Sequence, residues 1–201
     1  MRISWIDNLK WIGIILIVLG HCFYPDSSLF ISYIFSFHII LFFFLSGLMF
    51  HDKKHAIFLD FLKNKFQRLI IPYFFFNFMM FVFLKVKDIL LHENDFWVTF
   101  LWFLQWVLYG SFFIIPDNGN YLLIPDNVNL VNIPTWFLVC LFIISIVYFF
   151  LNKYIQNRIY RVLILFFISI LIYIESKYFY FRFPWSFEIA LMAMLFYGIW
   201  H

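Results

Sequence analysis

The sequence predicts an all-α polytopic transmembrane helix bundle, with about six spanning helices and one re-entrant or interfacial segment. Three observations carry that expectation. Of 201 residues, 65% are hydrophobic and only 12% charged, whereas charged residues alone make up about a quarter of a soluble domain. Seven apolar segments approach the roughly 20 residues that a helix needs to cross a bilayer. Lysine and arginine gather in particular loops, as membrane topology requires. This composition excludes a soluble globular protein, and no nucleic-acid partner is expected. The 33 Phe add to the hydropathy and imply no mechanism of their own.

The first segment, Trp5 to Tyr24, has an acidic residue, Asp7, and no small-residue cleavage site behind it, so it reads as a retained helix and not a signal peptide. "YPDSS" (Tyr24 to Ser28) makes a short hairpin turn into the second segment, Leu29 to Phe50. The stretch His51 to Arg68 carries Lys53, Lys54, Lys63, Lys65 and Arg68. Its Phe58, Phe61, Leu62, Phe66 and Leu69 recur at helical spacing, which predicts a basic amphipathic helix lying on the membrane surface. Leu69 to Leu84 and Phe96 to Ile115 follow, then a polar loop without Lys or Arg from Pro116 to Pro134. Pro134 to Leu151, Ile159 to Ile174 and Trp185 onward complete the set, with no soluble domain, repeat or linker between them. Cys22 and Cys140 both lie in apolar runs, as small buried residues do. Neither a disulfide framework nor metal-ligand spacing is visible, and no metal is expected.

Positive loops stay cytoplasmic. His51 to Arg68 is therefore expected inside, which makes the N-terminus cytoplasmic. The loop with Lys153, Arg158 and Arg161 is also expected inside, and the loop Pro116 to Pro134 outside. Three spans between the two basic loops would put those loops on opposite sides. Phe96 to Ile115, with Gln105, Gly110 and Ser111, is the weakest candidate and is expected not to cross; the alternative is seven true spans that break the charge rule. Lys85 and Lys87 fit an outer location poorly, but Asp88, Glu93 and Asp95 offset them.

Ionisable residues at membrane depth are costly and mark candidate sites. Lys10 and His21 are 11 residues apart, about 20° from three full turns, and so share one face over roughly 16 Å of helix. Asp7, three residues before Lys10, joins that stripe. Burial favours neutral imidazole, the form that accepts a proton as a general base must. The alternative for His21 is a packing hydrogen bond to a neighbouring helix. His38 in "FSFHIILFFFLSGLMF" is either a helper or substrate contact or a satisfied structural histidine, and its depth differs from that of His21 by several residues. Ser46-Gly47 lacks the glycine that precedes the serine in a nucleophile elbow and reads as a close-packing point between helices. Lys65 and Arg68 read either as topology and headgroup contacts or as a clamp for an anionic cytoplasmic substrate.

Five stretches together resemble the acyltransferase 3 family of integral membrane O-acyltransferases, and within it the fucose 4-O-acetylase-like branch. They are "WIDNLKWIGIILIVLGH", "FHIILFFFLSGLMF", "KFQRLIIPY", "PTWFLVCLF" and "FPWSFEIALMAMLFYGIW". Singly each is weak, but in this order they span almost all of the chain. The resemblance implies transfer of an acyl group, usually acetyl from acetyl-CoA, to a sugar hydroxyl of a surface or exported glycan. It makes His21 the catalytic histidine, with Lys10 and Asp7 on its stripe. Lys65 and Arg68 match the pair implicated in donor binding, and His38 and Trp136 fall in the substrate-binding set. Lys10 and Lys65 stand where the family usually has Arg, which keeps the charge and loses the bidentate fork. An elongated donor would enter at the basic rim and reach toward His21.

Acetyl-CoA is thus expected as a substrate, with no bound cofactor. A glycan or lipid-linked sugar is the expected acceptor, membrane lipids the surroundings, and a bacterial inner or plasma membrane the location. Family members are usually longer, so residues 1–201 are expected to form one acyltransferase-like domain that is incomplete at its C-terminus. The alternative is a non-catalytic remnant or an accessory membrane subunit of glycan export.

Overall fold

A long apolar run in lipid folds as helix because a helix satisfies its own backbone groups. The computed structural model describes residues 4–22, 29–50, 58–90, 100, 103–104, 107, 135–178 and 184–198. For residues 21, 31, 32, 35, 36, 88, 176–178 and 184 it describes the backbone alone. The described residues are almost entirely helical and include no strand. Helix α1 is Ser4–Cys22 and α2 is Leu29–Leu48. Helix α3, Phe58–Lys65, runs through a π-turn, Phe66–Ile70, into α4, Ile71–Leu90. Helix α5 is Trp136–Tyr154 and α6 is Arg158–Tyr178. A 3-10 turn, Pro184–Ser186, leads into α7, Phe187–Gly198.

The expected surface helix needs correction. Its described part does not end before the next segment but forms one helix with it, 30 residues from Phe58 to Lys87. The π-turn is what joins them. The Ile71 N–H bonds the Phe66 carbonyl, five residues back. Pro72 has no N–H to give, and its ring crowds the carbonyl of the preceding turn. A wide turn accommodates both at the cost of one extra residue. Phe61, Ile70, Tyr73 and Asn77 are buried along the joined helix.

Among the described residues two helices, Phe58–Lys87 and Trp136–Tyr154, are long and apolar enough to cross a membrane. Shorter apolar helices are Phe37–Leu48 and Phe187–Gly198. Large side chains such as Trp11, Phe75, Phe83, Leu163 and Phe167 are more than half exposed, on α1, α4 and α6. Contiguous apolar faces of that kind mark a membrane surface. Apart from Phe100, Phe103, Leu104 and Val107, which are helical, the expected re-entrant segment lies outside the described residues. So do the loops Tyr24 to Ser28 and Pro116 to Pro134, and His51 to Ile57.

The chain forms two compact units, Met1–Phe58 with Ile144–Phe179 and Ile189–His201, and Leu59–Ile143 with Tyr180–Glu188. In the first, α1 and α2 pair as an antiparallel hairpin. Ile6, Leu41 and Leu45 form its core with Leu9, Phe44 and Leu48. Gly13 lets the Phe42 ring approach α1, for a Cβ there would lie 2.8 Å from Phe42 Cε2. Gly47 is more demanding: a Cβ would fall 2.0 Å from the Tyr197 carbonyl oxygen. This is the close packing that the Ser46-Gly47 pair suggests. Nearby, the rings of Phe50, Tyr148 and Tyr197 meet edge to face, with centroids 5.1 to 6.1 Å apart. Arg161, buried at the start of α6, donates to Asn152 and, at 3.0 Å, to the Ile155 carbonyl, which closes the end of α5. In the second unit, α4 and the start of α5 are antiparallel. Phe66 faces Phe142 with ring centroids 6.4 Å apart, and Asn77 reaches Thr135 at 3.1 Å.

Candidate functional site

In the first unit, α1 turns Ile6, Gly13 and Gly20 inward at a seven-residue spacing. Asp7 and Lys10 flank that seam and meet as expected, Lys10 Nζ lying 3.9 Å from Asp7 Oδ1. Lys10 also donates to Met49 Sδ at 3.0 Å, at the end of α2. Both charged side chains are about a third exposed, so the pair sets position more than stability. His21 lies in the last turn of α1, described by its backbone alone, so the phase of its imidazole on the stripe lies outside the described side chains.

His38 is 2% exposed, and its Nδ1 is 2.6 Å from the Ile34 carbonyl oxygen. A carbonyl only accepts, so Nδ1 carries the hydrogen. In the neutral ring Nε2 is then the acceptor. Along the hairpin, Ile6 packs with Leu41 and Leu45, and Gly13 meets Leu41 and Phe42.

In the second unit, Lys65 closes α3 and Arg68 sits within the π-turn. Arg68 is exposed and Lys65 partly buried. The expected span of this helix, Leu69 to Leu84, begins after Lys65 and Arg68. Burial, and then the Arg68 guanidinium beside it, lower the Lys65 pKa to about 8. Its ammonium also lies 5.6 Å from the centroid of the Phe61 ring, within cation–π range. Trp136 is the first residue of α5 and is buried. Thr135 before it accepts the Leu138 N–H at 3.0 Å, the opening turn of that helix.

The structure thus brings Asp7 to Lys10 and Lys65 to Arg68, each pair within its own unit. It also reveals polar groups that sequence reasoning passed over. Asn77 is 6% exposed in the apolar part of α4 and donates to the Tyr73 carbonyl at 2.7 Å and to the Thr135 hydroxyl at 3.1 Å. Tyr73 donates its hydroxyl to the Val107 carbonyl at 2.9 Å. A polar residue inside an apolar run is a legible signal, but its partner 58 residues away is not. Ser186 and Glu188 are buried at the start of α7, next to Trp185 and Ser186 in the left-handed region with φ of 61° and 51°. Side chains rarely adopt that backbone, and the carboxylate inside the last apolar segment was the visible cue.

These features define the class: a helical membrane protein with paired cations near the head of a helix long and apolar enough to cross a membrane. The chain belongs to the acyltransferase 3 family, whose acyltransferase domain matches residues 3–200. It is therefore a membrane acyltransferase. No curated protein and no solved structure matches the chain.

Proposed function

We propose that the protein is an O-acyltransferase that moves an acetyl group from acetyl-CoA to a sugar hydroxyl of a cell-surface or exported polysaccharide. The acceptor is the glycan itself or a lipid-linked precursor. The observation that carries the donor assignment is the Lys65–Arg68 pair. Two cations held close enough for one to depress the other's pKa are favoured by an anion between them, and the phosphates of acetyl-CoA supply one. His21 is the general base. It takes the proton of the acceptor hydroxyl as that oxygen attacks the thioester carbonyl carbon. The carbon–sulfur bond breaks, the new ester keeps the acetyl group, and the thiolate recovers the proton. Lys10 and Asp7 are the polar entrance of the His21 helix, and His38 and Trp136 are substrate contacts. The reading places the protein in a bacterial inner or plasma membrane, N-terminus cytoplasmic, with about six spans.

The test is acetylation of envelope glycan from labelled acetyl-CoA, in cells carrying the wild type or His21→Ala. Wild-type transfer that falls at least a hundredfold in the variant, the scale of a lost general base, is the expected result. Transfer that survives His21→Ala would sink the mechanism, and a silent wild type would favour a non-catalytic membrane subunit.

A further inference from the structure

We propose that Met49 is a positioning residue for acyl transfer: its thioether sulfur fixes where the Lys10 ammonium stands. This rests on the reading above, in which Lys10 serves the His21 helix. Three observations within the first unit carry it.

The first is direction. Among the described residues the sulfur is the one directional contact of the Lys10 side chain. Lys10 Nζ donates to Met49 Sδ at 3.0 Å. Its distance to Asp7 Oδ1, 3.9 Å, is beyond hydrogen-bond range. Asp7 therefore attracts the ammonium without aiming it. Lysine has a flexible four-carbon stem, and such freedom costs free energy to restrict. The sulfur supplies the restriction.

The second is the chemistry of the acceptor. A thioether is uncharged and accepts weakly. It takes one of the three ammonium hydrogens and leaves the charge uncompensated. A carboxylate in its place would form a full ion pair and compete with an anionic substrate. The contact thus orients Lys10 and keeps its charge for a ligand.

The third is the mount. Met49 is half exposed and lies just past the last residue of α2. Its N–H bonds the Leu45 carbonyl at 3.2 Å, and the Phe50 N–H bonds the Gly47 carbonyl at 2.8 Å. Gly47 is pressed against the Tyr197 carbonyl. Phe50 is 5% exposed, with its ring edge-on to Tyr148 and Tyr197. Helices α5 and α7 therefore anchor the turn that carries the sulfur, and their packing is passed on to a cation of α1. Orientation of that kind matters, since a displacement of about 1 Å can cost on the order of a hundredfold in rate.

Transfer of labelled acetyl to envelope glycan, in cells carrying variants of the full chain, tests the assignment. Met49→Leu keeps the volume and removes the acceptor. It is expected to lower transfer about fivefold, the size of one modest hydrogen bond. Met49→Gln restores an uncharged acceptor at similar length and is expected to recover transfer to within about twofold. In a Lys10→Ala background Met49→Leu should change nothing further, as a coupled pair requires. A leucine variant as active as the wild type, with Lys10→Ala impaired, overturns the proposal and leaves the role of Lys10 standing. A loss that glutamine fails to restore, that persists in full without Lys10, or that comes with a collapsed melting point in detergent makes Met49 a packing residue and also overturns it. Wild-type transfer in Lys10→Ala removes Lys10 from the reaction, and this inference with it. A silent wild type removes the acetyltransferase reading as well. Where Lys10→Ala leaves no transfer to compare, amine labelling of Lys10 in purified protein, read by mass spectrometry, decides. Labelling roughly fivefold faster in Met49→Leu and reversed in Met49→Gln supports the contact, on the scale of one lost hydrogen bond. Equal rates in all three reject it.

Discussion

At the scale of single residues, Lys65 gives a pH signature. Its pKa near 8 means that it is charged below that pH and loses its charge above it. If the charged form holds the donor's phosphates, acetyl-CoA affinity falls as pH rises, by about tenfold between pH 7 and 9 for one such group. Lys65→Arg keeps its charge throughout and is expected to flatten that profile, which binding titrations at several pH values would show. An unchanged slope in the arginine variant would assign the titration elsewhere. Gly47 and Gly13 offer a second comparison. A methyl at Gly47 meets the backbone carbonyl of Tyr197, which cannot step aside, whereas at Gly13 it meets the edge of a movable Phe42 ring. Gly47→Ala should therefore destabilise by roughly 1–3 kcal/mol, the usual cost of overpacking, and Gly13→Ala by less. Thermal unfolding in detergent ranks the two, and equal melting points would contradict the packing described.

At the scale of elements, the π-turn decides which residues share a face. Inserting one alanine after Gln67 adds a further 100° of twist between α3 and α4. Phe61, now 1% exposed, would leave the packed face. A Phe61→Cys reporter, in a background without Cys22 and Cys140, is expected to alkylate slowly in the parent and at least tenfold faster in the insertion. No change in labelling would mean that the turn merely relaxes. The same turn explains what was legible in the sequence. The hairpin helices α1 and α2 follow from apolar length and a turn signal, and their observed ends lie within two residues of expectation. The join between α3 and α4 was hidden, because the change from a basic to an apolar stretch at Leu69 reads as a boundary, and the π-turn of Phe66–Ile70 departs from the 3.6-residue period on which helix reading depends. Within the candidate site, Asp7 with Lys10 and Lys65 with Arg68 were legible because each pair is local. The Asn77–Thr135 bond was not, because long-range pairing leaves no trace in spacing.

At the scale of the whole molecule, the antiparallel packing of α4 against the start of α5 bears on topology. If both helices cross the bilayer, the end of α4 and the start of α5 lie on the same side, which is the arrangement that the expectation of a non-spanning Phe96 to Ile115 requires. It also reconciles the basic residues at the two far ends, Lys63 and Lys65 in α3 and Lys153 in α5, which can both face the cytoplasm as the charge rule asks. A periplasmic-active enzyme reporter fused after Asn127 should then be active, and one fused after Asn157 inactive, with a cytoplasmic reporter giving the opposite pair. Reporters on opposite sides to these would invert the orientation and put Lys65 and Arg68 away from a cytoplasmic donor. Both fusions on the same side would break the pairing of α4 and α5 as successive spans. The first outcome leaves the helical packing intact and removes the donor assignment. The second contradicts the packing, so the two fusions separate an error of orientation from an error of fold.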